Sequence, residues 1–345
     1  MEHSDLVLVT GGTGSVGVWC VLHLLQKGYR VRATLRAMNK QGEVTDMLRR
    51  GGITSFEGLS FAKADLSSDE HWAEAMSGCR YVLHVASPTH LDTVTDEKEL
   101  IRPAVEGTLR VLQAARDAGV QRVVLTSSFG ALGFSNKDPE RETTEADWTD
   151  TNERGLSAYE KSKGLAERAA WDFIKREGGG MELATINPVA IFGPSLGPGK
   201  SPSLGLLKML LGGTVKAIPD IPLNVVDIRD VADLHVRAMT NPGAAGERFI
   251  ATADGKITMS EIATLIRKNM PEIAAKIPEK VLPNWVLGIA ALFNAQARQA
   301  AYFMEIGRKV SNRKAREVLG WTPVANKEEA VLAAAESIAK FGSGK

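Results

Sequence analysis

The chain has little cysteine, few aromatic residues and almost no excess of charge. Two cysteines occur in 345 residues, aromatics make up 6%, and the formal net charge is +1. Cys20 and Cys79 are far apart in apolar surroundings. They predict two reduced core thiols of an intracellular protein and exclude a disulfide framework. With 42 basic and 41 acidic residues and no basic block or arm, the sequence argues against a nucleic-acid partner held by phosphate neutralisation. The six histidines show no ligand spacing, so no metal is expected. The N-terminus has no basic-then-apolar signal pattern. The longest apolar run near the C-terminus, Val286 to Phe293, is far too short to span a bilayer. A soluble, cytoplasmic protein with no membrane partner is the expectation. Repeats and low-complexity segments are also missing.

What is present is core-forming material, 44% hydrophobic, enough for one large or two smaller domains. Short β-branched runs alternate with longer helical patterns. The runs Leu6–Thr10, Tyr29–Leu35, Leu59–Ala64, Arg80–Ala86, Arg122–Ser127 and Met181–Ile186 read as strands, and most are apolar throughout, as in a parallel sheet covered on both faces. Between them Ser15–Lys27, Asp69–Met76, Glu97–Ala118 and Ala158–Glu177 read as helices. This alternation predicts a doubly wound α/β fold. After Pro188 the stretch "NPVAIFGPSLGPGKSPSLG" is dense in Gly, Pro and Ser and reads as a loop beside a site. "NVVDIRDVADLHVRAM" adds a strand and a helix, and the remainder is mostly helical. The expected plan is a nucleotide-binding domain over residues 1–190, with later contributions near 224–240, and a smaller, mostly helical substrate-binding domain over 191–345.

"VLVTGGTGSVG" at 7–17 joins the first strand to the first helix. It fits G-x-G-x-x-G through Gly12, Gly14 and Gly17, and G-x-x-G-x-x-G through Gly11, Gly14 and Gly17. Either way the glycines permit a tight turn, a close backbone approach to a pyrophosphate, and close packing of helix on strand. The pyrophosphate then meets free amides at the helix N-terminus. At the end of the second strand, where an NAD-binding chain usually carries an acidic residue, stands Arg36, with Lys40 four residues later. A guanidinium makes paired hydrogen bonds to a 2′-phosphate and a lysine adds a point charge, so the position favours NADP(H).

"SAYEKSKGLAERAAWDF" carries Tyr159 and Lys163, four apart and so on one helical face. Ser157 and Glu160 match a capping box that starts this helix. Ser127 and Ser128 end the fifth strand, and ligands of open α/β sheets bind at the carboxyl ends of strands. A glycine turn, a strand-end serine and Y-x-x-x-K together are far more specific than any one of them. With "VTGGTGSVG", "VRATLR", "ADL", "VLHVASP", "PAVEGTLRVLQAA", "RVVLTSS", "YEKSK", "NPVAIFGP" and "VDIRDVADLHVRAM", the chain resembles the extended short-chain dehydrogenase/reductase family. The nearer likeness is to its branch of dihydroflavonol 4-reductase, cinnamoyl-CoA reductase and microbial aldehyde/ketone reductases. These motifs span the first two thirds of the chain, and "LGW" at 319–321 is a fainter echo.

The resemblance implies a Rossmann-type fold and a carbonyl reductase using NADP(H). It makes Tyr159 the proton donor, Lys163 the partner of the nicotinamide ribose and of the tyrosine, and Ser128 the holder of the carbonyl oxygen, with Ser127 left as a second possibility at that doublet. Cofactor contacts are implied for Gly11, Thr13, Gly14, Ser15, Val16 and Gly17, and for Asp65 and Leu66 at the adenine. Val85, Ala86 and Ser87 match a loop lining the cofactor, and Pro188 and Val189 a segment against the nicotinamide. Asp227, Arg229 and Asp230 read as stabilisers of a turn and helix start. The expected partner is a small carbonyl compound, and the protein a monomer or homodimer. Two other functions compete: a sugar-nucleotide epimerase or dehydratase on the same scaffold, disfavoured by Arg36, and a sensor that binds NADP without turnover, which leaves the Ser, Tyr and Lys set unexplained.

Overall fold

The computed structural model describes residues 3–88, 97–199 and 201–342. Its centre is one parallel sheet of seven strands: β1 (His3–Val9), β2 (Tyr29–Leu35), β3 (Leu59–Lys63), β4 (Cys79–His84), β5 (Arg122–Thr126), β6 (Glu182–Pro188) and a seventh strand, Arg248–Ala251. Their order across the sheet is 3-2-1-4-5-6-7. The order reverses between β1 and β4, which opens a crevice at their carboxyl ends.

Alternation along the strands sends side chains to two apolar layers. Val7 and Val9 of β1 join one cluster with Val18 and Val21, while Leu6 and Leu8 join another with Val111, Leu112 and Phe173. The first layer is covered by α1 (Ser15–Gln26), α2 (Gln41–Arg50) and, from later in the chain, α7 (Ile228–Thr240), and the second by α3 (Trp72–Met76), α4 (Glu97–Asp117) and α5 (Ala158–Glu177). A third cluster joins α6 (Pro202–Leu211) to the helices Met259–Asn269 and Lys327–Phe341.

Differences from the sequence expectation have local causes. β4 ends at His84, two residues early, because the amides of Val85 and Ala86 turn to the Thr10 hydroxyl. The helix expected from Asp69 begins at Trp72, after His71 in a left-handed conformation (φ 68°). The loop after Pro188 contains a short strand, Ala190–Phe192, paired with Val225–Asp227. It also runs into α6, which Ser201 caps by accepting from the Leu204 amide. Beyond the stretch near 224–240, whose helix α7 packs on the sheet, Arg248–Ala251 adds a strand beside β6. Cys20 and Cys79 are free and buried. Among the described residues no helix is long and apolar enough to cross a membrane.

Candidate active site

The residues singled out in the sequence gather along the carboxyl edge of the sheet. Gly11 takes a positive φ of 72°, and a Cβ there would lie 3.1 Å from the Ala86 Cα. The Gly14 amide donates to the Gly11 carbonyl at 2.9 Å, and Gly14 then caps α1. At Gly17 a Cβ would stand 2.3 Å from the Gly11 carbonyl oxygen, closer than real Cβ atoms come. The turn is therefore built on Gly11, Gly14 and Gly17. Gly12 serves strand packing, since its Cβ would press on Ala33 of β2 at 2.9 Å. Among the described residues no side chain caps α1, and its first turn holds no acidic residue. Its leading amides, beside exposed Thr13 and Gly14 and half-buried Ser15 and Val16, remain available to an anion. A backbone cradle that side chains would fill, set on an uncapped helix N-terminus, fits a dinucleotide diphosphate.

At the next strand ends, Arg36 is exposed after β2 and Asp65 half-buried after β3. They are close enough for the guanidinium to help hold the Asp65 carboxyl below its usual range, although the larger cause is the Ser67 amide donating to it. Leu66 accepts from Arg110 through its carbonyl, which fixes this turn to α4. Lys40 lies in a one-turn 3-10 helix and pairs with Glu43 at 2.8 Å, both exposed. Its ammonium thus has a competing partner, if a weak one. After β4, Val85, Ala86 and Ser87 are half-buried, and Pro188 and Val189 are buried at the end of β6.

Sequence reasoning missed the pin between these segments. The Thr10 hydroxyl accepts from the Val85 and Ala86 amides (3.0 and 2.9 Å) and lies 2.9 Å from His84 Nδ1. With both lone pairs used, its proton goes to Nδ1, so His84 is the neutral tautomer protonated on Nε2. Burial, and then the nearby Lys163 charge, push the His84 pKa down to about 3. Its Nε2 is buried without a hydrogen-bond partner among the described residues. A Thr directly before the glycines and a His closing β4 were the available signals.

α5 presents the chemistry. Ser157 and Glu160 form the expected capping box, which sets Tyr159 in the first turn and Lys163 one turn on. The Lys163 Nζ lies 5.9 Å from the Tyr159 ring centroid. Ser128 accepts from the Gly130 amide at 3.1 Å, and its side chain is near enough to the Tyr159 hydroxyl to oppose the rise of that phenol's pKa. Ser127 points elsewhere, donating to buried Glu167 of α5. The doublet is therefore divided, with only Ser128 at the tyrosine. Burial, with Glu160 adding to it, pushes the Tyr159 pKa up to about 12 against the opposing Ser128 side chain. Burial lowers Lys163 to about 8, with Glu167 acting against the fall. At neutral pH the site thus holds a protonated phenol next to a cation whose charge is easily lost, an arrangement able to give a proton to an oxygen placed between Ser128 and Tyr159.

Asp227 caps α7 through the Arg229 amide and grips the Arg229 side chain at 2.9 Å. Asp230 accepts the Trp321 indole N–H at 3.0 Å, which gives "LGW" a structural part: it anchors the C-terminal segment to α7.

A family model described as the NAD dependent epimerase/dehydratase family matches residues 7–251. A Candida albicans protein provisionally named an NADPH-dependent methylglyoxal reductase is 32% identical over 339 residues, covering 93% of this chain and 95% of that protein. Cinnamoyl-CoA reductase 1 of Arabidopsis thaliana is 37% identical over 272 residues, covering 77% and 75%. Among solved structures, yeast methylglyoxal/isovaleraldehyde reductase complexed with NADPH superposes with a TM-score of 0.80 at 27% identity, covering 98% of this chain and 99% of that one.

Proposed function

The chain belongs to the NAD dependent epimerase/dehydratase family and is an NADP-dependent oxidoreductase; from that premise we propose that it reduces an aldehyde or ketone carbonyl to an alcohol, with Tyr159 as the proton donor. The observation that carries this reading is the Ser128–Tyr159–Lys163 cluster at the carboxyl edge of the sheet, beside the glycine cradle. The cradle of Gly11, Gly14 and Gly17 with Thr13, Ser15 and Val16 holds the diphosphate. Arg36, with Lys40 in a lesser part, reads the 2′-phosphate; Asp65 and Leu66 flank the adenine; Val85, Ala86, Ser87, Pro188 and Val189 border the nicotinamide end. When bound, NADPH supplies the hydride that reaches the carbonyl carbon.

The protein's own groups handle the oxygen. Ser128 donates a hydrogen bond to the carbonyl oxygen and holds it beside the Tyr159 hydroxyl. As negative charge gathers on that oxygen, Tyr159 gives up its proton. A phenol at about 12 in the free protein is a reluctant donor, and the Lys163 ammonium compensates by stabilising the phenolate that remains. Reduction is favoured over epimerisation because the relatives matched over most of their length are named reductases, and because Arg36 suits a phosphorylated, exchangeable cofactor.

Tyr159→Phe removes one hydroxyl and little contact area. It should lower kcat on a panel of aldehydes and ketones by roughly 100- to 10,000-fold while leaving the NADPH Kd nearly unchanged. Near-native turnover in this variant, followed as loss of NADPH absorbance, would refute the assigned chemistry.

A further inference from the structure

Lys163 is only 9% exposed, and burial lowers its pKa to about 8 against the opposing charge of Glu167. One turn further along α5 lies Glu167, 1% exposed and aligned with Lys163 on the same face. Both line a small cavity closed by Ser87, Thr108, Thr126 and Ser127. The Glu167 carboxylate receives the Ser127 hydroxyl, the Asn187 amide at 2.7 Å, the Trp171 indole N–H at 3.2 Å and the Arg248 Nε at 2.7 Å. Those donors come from the end of β5, the end of β6, α5 itself and the seventh strand. Lys163 is not among them, so the carboxylate acts on the ammonium through space. Asn187 also donates to the Ser128 carbonyl at 3.3 Å. One buried carboxylate thereby ties the helix carrying Tyr159 and Lys163 to the strand end carrying Ser128.

We propose that Glu167 is a positioning residue of the reaction: it keeps the Lys163 ammonium charged inside the protein and locks α5 in height and rotation against the end of β5. Its kinetic consequence rests on the reading of Lys163 given above, and its placement on the shared cavity and on the hydrogen bonds that hold Glu167. Charged and titratable groups face this pair from several elements. His84 of β4, neutral, lies towards Lys163, the Tyr159 ring of α5 has its centroid 5.9 Å from the ammonium, and Arg248 of the seventh strand holds Glu167. α4 contributes only Ala104 and Thr108 to the cavity. Among these groups Glu167 alone supplies negative charge to the ammonium. Arg248 offsets part of it, and this relation makes the proposal testable in two directions.

The experiment measures the ionisation of Lys163 directly, by competitive labelling with trace acetic anhydride across pH and mass spectrometry of the Lys163 peptide. It is run on the full chain and on Glu167→Gln, Arg248→Met and the double variant, alongside the pH profile of kcat/KM for NADPH. Glu167→Gln should move the Lys163 ionisation to lower pH by roughly one unit or more, the scale of one nearby opposite charge. The alkaline limb of the rate profile should move with it. Arg248→Met, which leaves the carboxylate uncompensated, should move both upward. The double variant removes the buried Glu167 carboxylate together with the buried Arg248 cation that pairs with it, so it remains informative if Glu167→Gln fails to fold, and it should move both readouts to lower pH. Identical Lys163 titration in parent and variants overturns the proposal, as does a labelling shift that the rate profile does not follow. If the parent turns over no carbonyl compound, the reductase reading fails, and the labelling still decides whether Glu167 governs Lys163.

Discussion

Gly17→Ala tests the cradle with a single methyl group. The new Cβ would lie 2.3 Å from the Gly11 carbonyl oxygen and 3.0 Å from its carbonyl carbon. Both are backbone atoms, so no rotamer change relieves the contact. Either the N-terminus of α1 moves away from β1 or the Gly11 turn gives way, by about 1 Å to reach ordinary contact. Overpacking of this kind costs about 1–3 kcal/mol. If the displacement is taken by the turn, NADPH affinity should fall on the order of ten- to a hundredfold, at about 1.4 kcal/mol per decade. Gly205→Ala is the matched control: it lies within α6 with nothing within 4 Å of its Cβ position. It should gain up to about 1 kcal/mol of stability from helix propensity and leave the Kd untouched. Fluorescence titration with NADPH and thermal unfolding read the two quantities separately. A Gly17→Ala protein with the parental Kd and Tm would refute the close-approach argument. A lowered Tm with an unchanged Kd would show that the contact serves helix packing and not the cofactor.

Arg36→Ala should weaken NADPH binding by about ten- to a hundredfold, the worth of charge-assisted bonds to a phosphate, and hardly change NADH binding; equal losses for both would return Arg36 to a role in the fold. Because Lys163 is held at about 8, its charge is present below that pH and lost above it. Accordingly kcat/KM for NADPH, which reports the free enzyme, should fall above about pH 8, and a flat profile to pH about 9.5 would remove Lys163 from the rate equation. His235 is buried and lowered to about 4 by burial, so the folded state resists a proton that the unfolded chain accepts below its ordinary value. Its stabilisation is complete above pH 6.5 and lost as pH falls towards about 4. Other groups titrate in that range with both signs, Asp230 among them, raised by burial to about 6. The readout is therefore the difference between the parent and His235→Gln, whose unfolding free energies should converge by about 1.4 kcal/mol per pH unit below 6.5; parallel curves would refute it.

The sheet was legible because its central strands are largely buried and read as short, mostly apolar runs. β2 and α5 fall on the expected residues, Tyr29–Leu35 and Ala158–Glu177. α5 is marked at its start by a capping box that needs only four residues to recognise. What escaped was short or masked by breakers. The seventh strand is four residues, Arg248–Ala251, too few to show a period, and it joins β6 from far along the chain. α2 carries Gly42 and Thr45 among polar residues, and only Val44, Met47 and Leu48 are buried. Its inward stripe is one turn and a half wide. Register with a distant partner decides both elements, and a local window holds no record of it.

The site divides along the same line. Groups that act through backbone geometry or one helical turn were readable: the glycines at 11, 14 and 17, and the Tyr159–Lys163 pair. Groups that act across strands were not. "TSS" offers two equivalent serines at a strand end, and only the third dimension sends Ser127 to Glu167 and Ser128 to Tyr159. Adjacent residues leaving a strand face opposite sides, so one of the two had to turn to the interior of the second layer and the other to the crevice. The partner that claims Ser127 is itself placed by Arg248, 81 residues further on. Thr10 shows the same dependence at the cofactor end. Its value lies in reaching the amides that β4 releases, and β4 becomes the neighbour of β1 only through the crossover that passes β2 and β3 on the other side. A topological reversal creates the crevice, and the residues that fix its floor are those whose partners the reversal brings near.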